Sequence, residues 1–188
     1  MDRQSRIILL LLLLLLLAST GLRLYRLDEG LWLDEILTYV RYARLPLGDI
    51  VRTFDSENQH FLYSILASLS FQIFGESGWA LRLPAVLFGV ASILALYLLG
   101  KEVAGSVEGL LAAALMAFSY HHLWFSQNAR GYTGMLFWTL LSSWFMLRGL
   151  KNGRLADWLA YGASAALGTY THLTMGFVIF GQLIVAGM

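Results

Sequence analysis

The sequence predicts an all-α protein, a polytopic bundle of transmembrane helices with short amphipathic helices in its first outer loop. Hydrophobic residues make up 58% of the 188 and charged residues only 13%, against about 25% charged in a soluble domain. Mean hydropathy is +0.65. The apolar residues also fall in successive runs near the roughly 20-residue length of a bilayer crossing. A formal net charge of +1 leaves no basic excess for a phosphate backbone, so no nucleic-acid partner is expected. The chain has no cysteine, which removes disulfides, thiolate nucleophiles and Cys-ligated zinc.

The elements follow in order. Residues 7–24 form the first span, built on the leucine run 9–17 and preceded by Arg3 and Arg6. Arg23 lies near its end, where a long side chain snorkels to the headgroups. A retained signal anchor is favoured over a cleaved signal peptide, because further spans follow and Ala18-Ser19-Thr20 is a poor cleavage site. Residues 28–80 read as an extracytoplasmic loop. Within it Leu33, Ile36, Leu37, Val40 and Leu47 recur at helical spacing, with Glu35, Thr38 and Arg41 opposite, the pattern of a helix lying in the interface. Further spans occupy 81–188, with apolar runs at 83–99, 107–125, 132–147, 155–171 and 173–188. The last run is apolar to the end, so the chain is expected to be the N-terminal part of a longer membrane module.

Phe61–Phe74 decides the topology. It is short and carries Ser64, Ser68, Ser70 and Gln72, which suits a surface or re-entrant segment better than a crossing. On that reading Lys101, Arg148, Lys151 and Arg154 all lie inside, as the positive-inside rule favours. Asp34-Glu35, Asp55, Glu57, His60, His121-His122, Arg130 and His172 then share the outer face. The centres of the later spans carry no Asp, Glu, Lys or Arg. Transporters place ionisable groups near the midplane; this pattern instead describes an active site at the membrane–water boundary. The alternative is a polytopic transporter or scaffold without catalytic activity, and a scaffold has no need of carboxylates, arginine and histidines gathered on one face.

Several segments carry a resemblance. WLDEILTYVRYA, QHFLYSIL, FGESGWALRLPAVLFGV, WFSQNARGYTGMLF and TYTHLTMGF resemble, in order, motifs of the GT-C glycosyltransferases. The similarity is to the protein O-mannosyltransferase and aminoarabinose-transferase superfamily, especially its bacterial members. QHFLYSIL lacks the two prolines of that family's His-Pro-Pro-Leu-Tyr stretch.

The resemblance implies sugar transfer from a polyprenyl-phosphate donor at the extracytoplasmic face of the plasma membrane, by inverting single displacement. The acceptor, whether lipid, glycan or protein, is left open. A hydroxyl acceptor is a weak nucleophile and needs a base; the motif assigns that role to Asp34, with Glu35 as a supporting carboxylate. Helix capping by Asp34 is the rival explanation. The leaving phosphate needs cations rather than an acid, so Arg82 and Arg130 are candidate phosphate ligands. Tyr132, His172, Asp55 and His60 complete the candidate substrate site. Glu57, His60 and His172 are candidate ligands for a divalent metal, but being dispersed they form no metal motif. Membrane lipids and a polyprenyl-linked sugar are the expected partners.

Overall fold

The computed structural model describes residues 2–188 and contains helices and turns, with no strand among the described residues. The helices are α1 (Arg3–Leu24), α2 (Leu33–Thr38), α3 (Leu47–Ile50), α4 (Phe61–Phe74), α5 (Gly78–Val103), α6 (Ser106–Ala117), α7 (Tyr120–Ser126), α8 (Tyr132–Asn152), α9 (Leu155–Thr171) and α10 (Met175–Gly187). A π-turn, Tyr39–Ala43, continues α2. Among the described residues two helices, α1 and α5, are long and apolar enough to cross a membrane; α4, α6 and α10 are apolar but shorter.

Apolar packing joins α1, α5 and α6 through Ile8, Leu12, Ile93, Tyr97, Ala113 and Ala117. A second cluster lies toward the other end of α5, where Tyr63, Ala67 and Phe71 of α4 meet Ala80, Leu81, Ala85, Ala43 and Ala129. Leucines 9–11, 13, 14 and 17 stay exposed along α1, as expected for a helix facing lipid.

Helix α4 is tied to the start of α5. The Tyr63 hydroxyl donates to the Leu81 carbonyl and the Ser70 hydroxyl to the Ala80 carbonyl, both at 2.7 Å. Donors seven positions apart on α4 thus meet adjacent carbonyls of α5. Pro84 supplies part of the reason. It has no N–H for the carbonyl four residues back, which is Ala80, and Ser70 fills that acceptor.

Three expectations are corrected. The run 107–125 is broken at Phe118-Ser119 into α6 and α7. Arg23 does not snorkel: it is 0% exposed, hydrogen-bonded between α1, α6 and α7. The amphipathic helix of the first loop is present but shorter than its pattern, ending in the π-turn. It is also turned polar side in: Glu35 and Thr38 are buried, whereas Trp32, Leu33, Ile36 and Val40 are exposed.

Candidate active site

One end of the bundle gathers the end of α1, the start of α5, the turn 127–131 before α8, and the end of α9. The first loop is folded onto this end by Arg82. Its Nε and Nη2 donate to the Glu35 carboxylate at 2.8 and 2.7 Å, and its Nη1 and Nη2 donate to the carbonyls of Leu27, Glu29 and Gly30 at 2.8–3.0 Å. A guanidinium has five N–H donors, and all are engaged. Arg82 therefore has none left for a phosphate, correcting its place among the phosphate ligands. It holds the loop.

Glu35 is filled in the same way. Besides Arg82, its carboxylate accepts the backbone N–H of Trp32 at 2.9 Å and of Ala129 at 2.7 Å. It is buried and ties α2 to the turn that carries Arg130. The geometry gives it positioning work, not contact with a substrate. Asp55 is likewise occupied: it accepts the Tyr42 hydroxyl and lies 3.8 Å from Arg41 Nη1, bracing the loop.

Asp34 differs from its neighbour. Helix α2 begins at Leu33, with Trp32 as the N-cap residue, so Asp34 lies inside the first turn and does not cap it. Its side chain is 61% exposed, with one oxygen 3.7 Å from Arg130 Nη1. Its carbonyl accepts from Asn58 Nδ2 and from the Thr38 hydroxyl, which fixes the backbone below a free carboxylate.

Arg130 is 8% exposed. Its Nη2 reaches the Tyr132 hydroxyl at 3.3 Å, and its guanidinium lies 5.4 Å from the Tyr132 ring centre. Its Nε and Nη1 are buried without a hydrogen-bond partner, as is Nε2 of His60. His60, 3% exposed, stacks on His172 with ring centres 4.7 Å apart, and Tyr132 packs against both rings. Phe61 stacks on Tyr170 beside them. Gly131 permits this closeness: a Cβ there would lie 2.9 Å from the Thr171 carbonyl and 3.1 Å from His60 Cγ. Buried polar atoms are normally paired, so a buried guanidinium whose Nε and Nη1 lack hydrogen bonds, beside one exposed carboxylate, describes a place for an anionic ligand.

The spacing of the sequence did not single out Gln59 or Asn58, yet both set the site. Gln59 donates to the Ile50 and Thr53 carbonyls and accepts from the Ser64 hydroxyl, which fixes the entry to α4 beneath His60. Both sit in a polar stretch that reads as an ordinary linker. Among the described residues no three His, Asp or Glu side chains are placed to hold a metal ion, so Glu57, His60 and His172 are not assembled as a ligand set. Glu57 is exposed on the loop.

Burial, then Arg130 and then His172 hold the His60 imidazole down to about 3, with the Thr171 backbone opposing. Burial and Arg130 also lower His172. His60 is therefore neutral in the folded protein at neutral pH. The unfolded chain takes up a proton near pH 6.5 that the fold refuses, so stability is complete above that pH and falls as pH drops toward 3. Thermal unfolding of the full-length protein across pH 7 to 4 should show this decline, and His60→Gln should flatten it. An unchanged slope would remove His60 as its source.

The chain belongs to the dolichyl-phosphate-mannose-protein mannosyltransferase family, whose model matches residues 58–187. It is 28% identical over 114 residues to YkcB of Bacillus subtilis (strain 168), whose name assigns it provisionally to the mannosyltransferases; this covers 61% of the chain and 16% of that protein. It is 27% identical over 165 residues to the undecaprenyl phosphate-alpha-4-amino-4-deoxy-L-arabinose arabinosyl transferase of Pseudomonas aeruginosa (strain UCBPP-PA14), covering 80% of the chain and 29% of that protein. The chain thus spans less than a third of the length of either relative. No solved structure matches it.

Proposed function

We propose that the full-length protein is a multi-pass membrane glycosyltransferase that moves a sugar from a polyprenyl-phosphate donor to a hydroxyl acceptor at the extracytoplasmic face. The observation that carries this reading is the buried Arg130 guanidinium, whose Nε and Nη1 lack a hydrogen-bond partner, beside the exposed carboxylate of Asp34. The family and the donor in the name of the arabinosyl transferase relative support it.

The residues divide the chemistry. The acceptor oxygen attacks the anomeric carbon and its proton passes to Asp34. The bond from that carbon to the phosphate oxygen breaks, and the lipid phosphate leaves with the electron pair. Arg130 meets its charge, and His60 packs beside it with Tyr132 and His172. Attack opposite the leaving group inverts the sugar carbon. An apolar groove of about 500 Å³ between α4, α5 and α8, lined by Leu66, Leu69, Ile73, Leu83, Leu87 and Phe137, suits a polyprenyl chain. It starts six residues beyond His60 along α4, about 9 Å by helical rise. The exposed apolar side of α2 suits the outer membrane surface. Lys101, Arg148, Lys151 and Arg154 lie near the opposite helix ends, consistent with a cytoplasmic side there.

Arg130→Gln in the reconstituted full-length protein should lower kcat/KM for the polyprenyl-phosphate sugar by about 10²–10³-fold, the usual loss for one donor to developing charge. Unchanged turnover would refute the phosphate role of this pocket.

A further inference from the structure

A second buried arginine stands outside this pocket. Arg23 ends α1 and is 0% exposed, yet all its partners are neutral. Its Nε donates to the Ser126 hydroxyl at 3.1 Å, and its Nη1 to the Ser19 carbonyl at 3.0 Å, the Ser19 hydroxyl, and the Ala117 carbonyl at 3.4 Å. Its Nη2 lies 2.6 Å from His122 Nδ1. A guanidinium only donates, so His122 accepts through Nδ1 and carries its proton on Nε2.

Burying a charge without a counter-charge is unfavourable, and an apolar residue of similar volume often serves stability as well. What the guanidinium adds is direction. It fastens the end of α1 to α6 and to two points of α7, close to Gly89 of α5, where a Cβ would collide with the Ser126 hydroxyl. Helix α7 runs directly into Gln127, whose Nε2 donates to the carbonyls of Leu22, Arg23 and Tyr25 at 3.3, 3.2 and 2.7 Å. Three residues after Gln127 comes Arg130. On the other side Glu35 holds the Ala129 N–H. The turn bearing Arg130 is thus clamped from α1 by Arg23 and Gln127 and from α2 by Glu35.

We propose that Arg23 is a positioning residue: by fixing α7 and the turn 127–130 against α1, it aims the Arg130 guanidinium at the donor phosphate. The proposal rests on the phosphate reading of the Arg130 pocket and assigns the aim of that pocket to a residue that touches no substrate.

The test compares binding of a polyprenyl phosphate with binding of the matching polyprenol to the full-length protein in detergent. The ratio of the two affinities reports the phosphate grip alone, and general loosening of the fold does not move it selectively. Arg130→Gln is the reference and should abolish most of the preference for the phosphate. Arg23→Met should reduce that preference about tenfold or more, the scale of losing a charge-assisted hydrogen bond, while polyprenol affinity stays near normal. Arg23→Lys, which keeps the charge but not the fork, should fall between. If Arg23→Met does not fold, Gln127→Ala decides, since it cuts the same clamp at a half-buried side chain. A full preference in Arg23→Met or, failing that, in Gln127→Ala, with the preference lost in Arg130→Gln, overturns the proposal. A preference that survives Arg130→Gln overturns the phosphate reading itself, and the positioning role with it.

Discussion

Asp34→Asn in the full-length protein should reduce sugar transfer by about 10²–10⁴-fold, the usual loss of a general base, with insertion and donor binding near normal. The structure makes this substitution cleaner than the sequence did. Asp34 is not the N-cap of α2, a position held by Trp32, and its side chain is 61% exposed, with Arg130 Nη1 at 3.7 Å. The backbone beneath it is held by Asn58 and Thr38 through its carbonyl, which asparagine retains. A loss of rate at unchanged thermal stability is therefore a loss of chemistry. Near-normal turnover by Asp34→Asn, with Asp55→Asn or Glu57→Gln inactive, would move the base to the polar stretch before His60.

The helical class and the element order were legible because hydrophobic runs report burial in lipid as directly as in a core. The bounds of α9 match the apolar run 155–171. The break between α6 and α7 was not legible, since Phe118-Ser119 carries neither proline nor glycine and the run stays apolar through it. The candidate site was half legible. That Asp34, His60, Arg130 and His172 lie at one end follows from placing them on one outer face; the pairing of Asp34 with Arg130 and the stacking of His60 on His172 do not. The division of labour between adjacent carboxylates did not follow. Asp34 and Glu35 look alike in the sequence, and a turn of about 100° per residue around α2 leaves one exposed and buries the other on Arg82. Arg82 and Arg130 are separated in the same way: one has every N–H engaged, the other leaves Nε and Nη1 without a hydrogen-bond partner. Arg23 was misread because a basic residue at the end of an apolar helix usually reaches the headgroups; nothing local announces that Ser126 and His122, a hundred residues on, will receive it.

The Glu35–Arg82 pair carries the largest expected effect on stability. Four donors converge on the Glu35 carboxylate: Arg82 Nε and Nη2 and the N–H groups of Trp32 and Ala129. Gln at this position presents one oxygen and one amide nitrogen, so half of the carboxylate's accepting surface becomes a donor facing donors. It also leaves Arg82, 4% exposed in its side chain, charged and without a counter-charge. Breaking a buried pair from one side typically costs about 3–5 kcal/mol, a large share of a typical net stability of about 5–15 kcal/mol. Glu35→Gln should therefore unfold at markedly lower temperature and lose activity in proportion to the folded fraction. Arg82→Met should behave alike, releasing the carbonyls of Leu27, Glu29 and Gly30 as well. The double variant Glu35→Leu/Arg82→Met should be less destabilised than the two single effects added, because neither charge is then stranded. The measurement is a double-mutant cycle on thermal unfolding, with turnover recorded per folded molecule. A Glu35→Gln protein of normal stability whose turnover per folded molecule drops as far as that of Asp34→Asn would return Glu35 to the reacting atoms and give the site two working carboxylates instead of one.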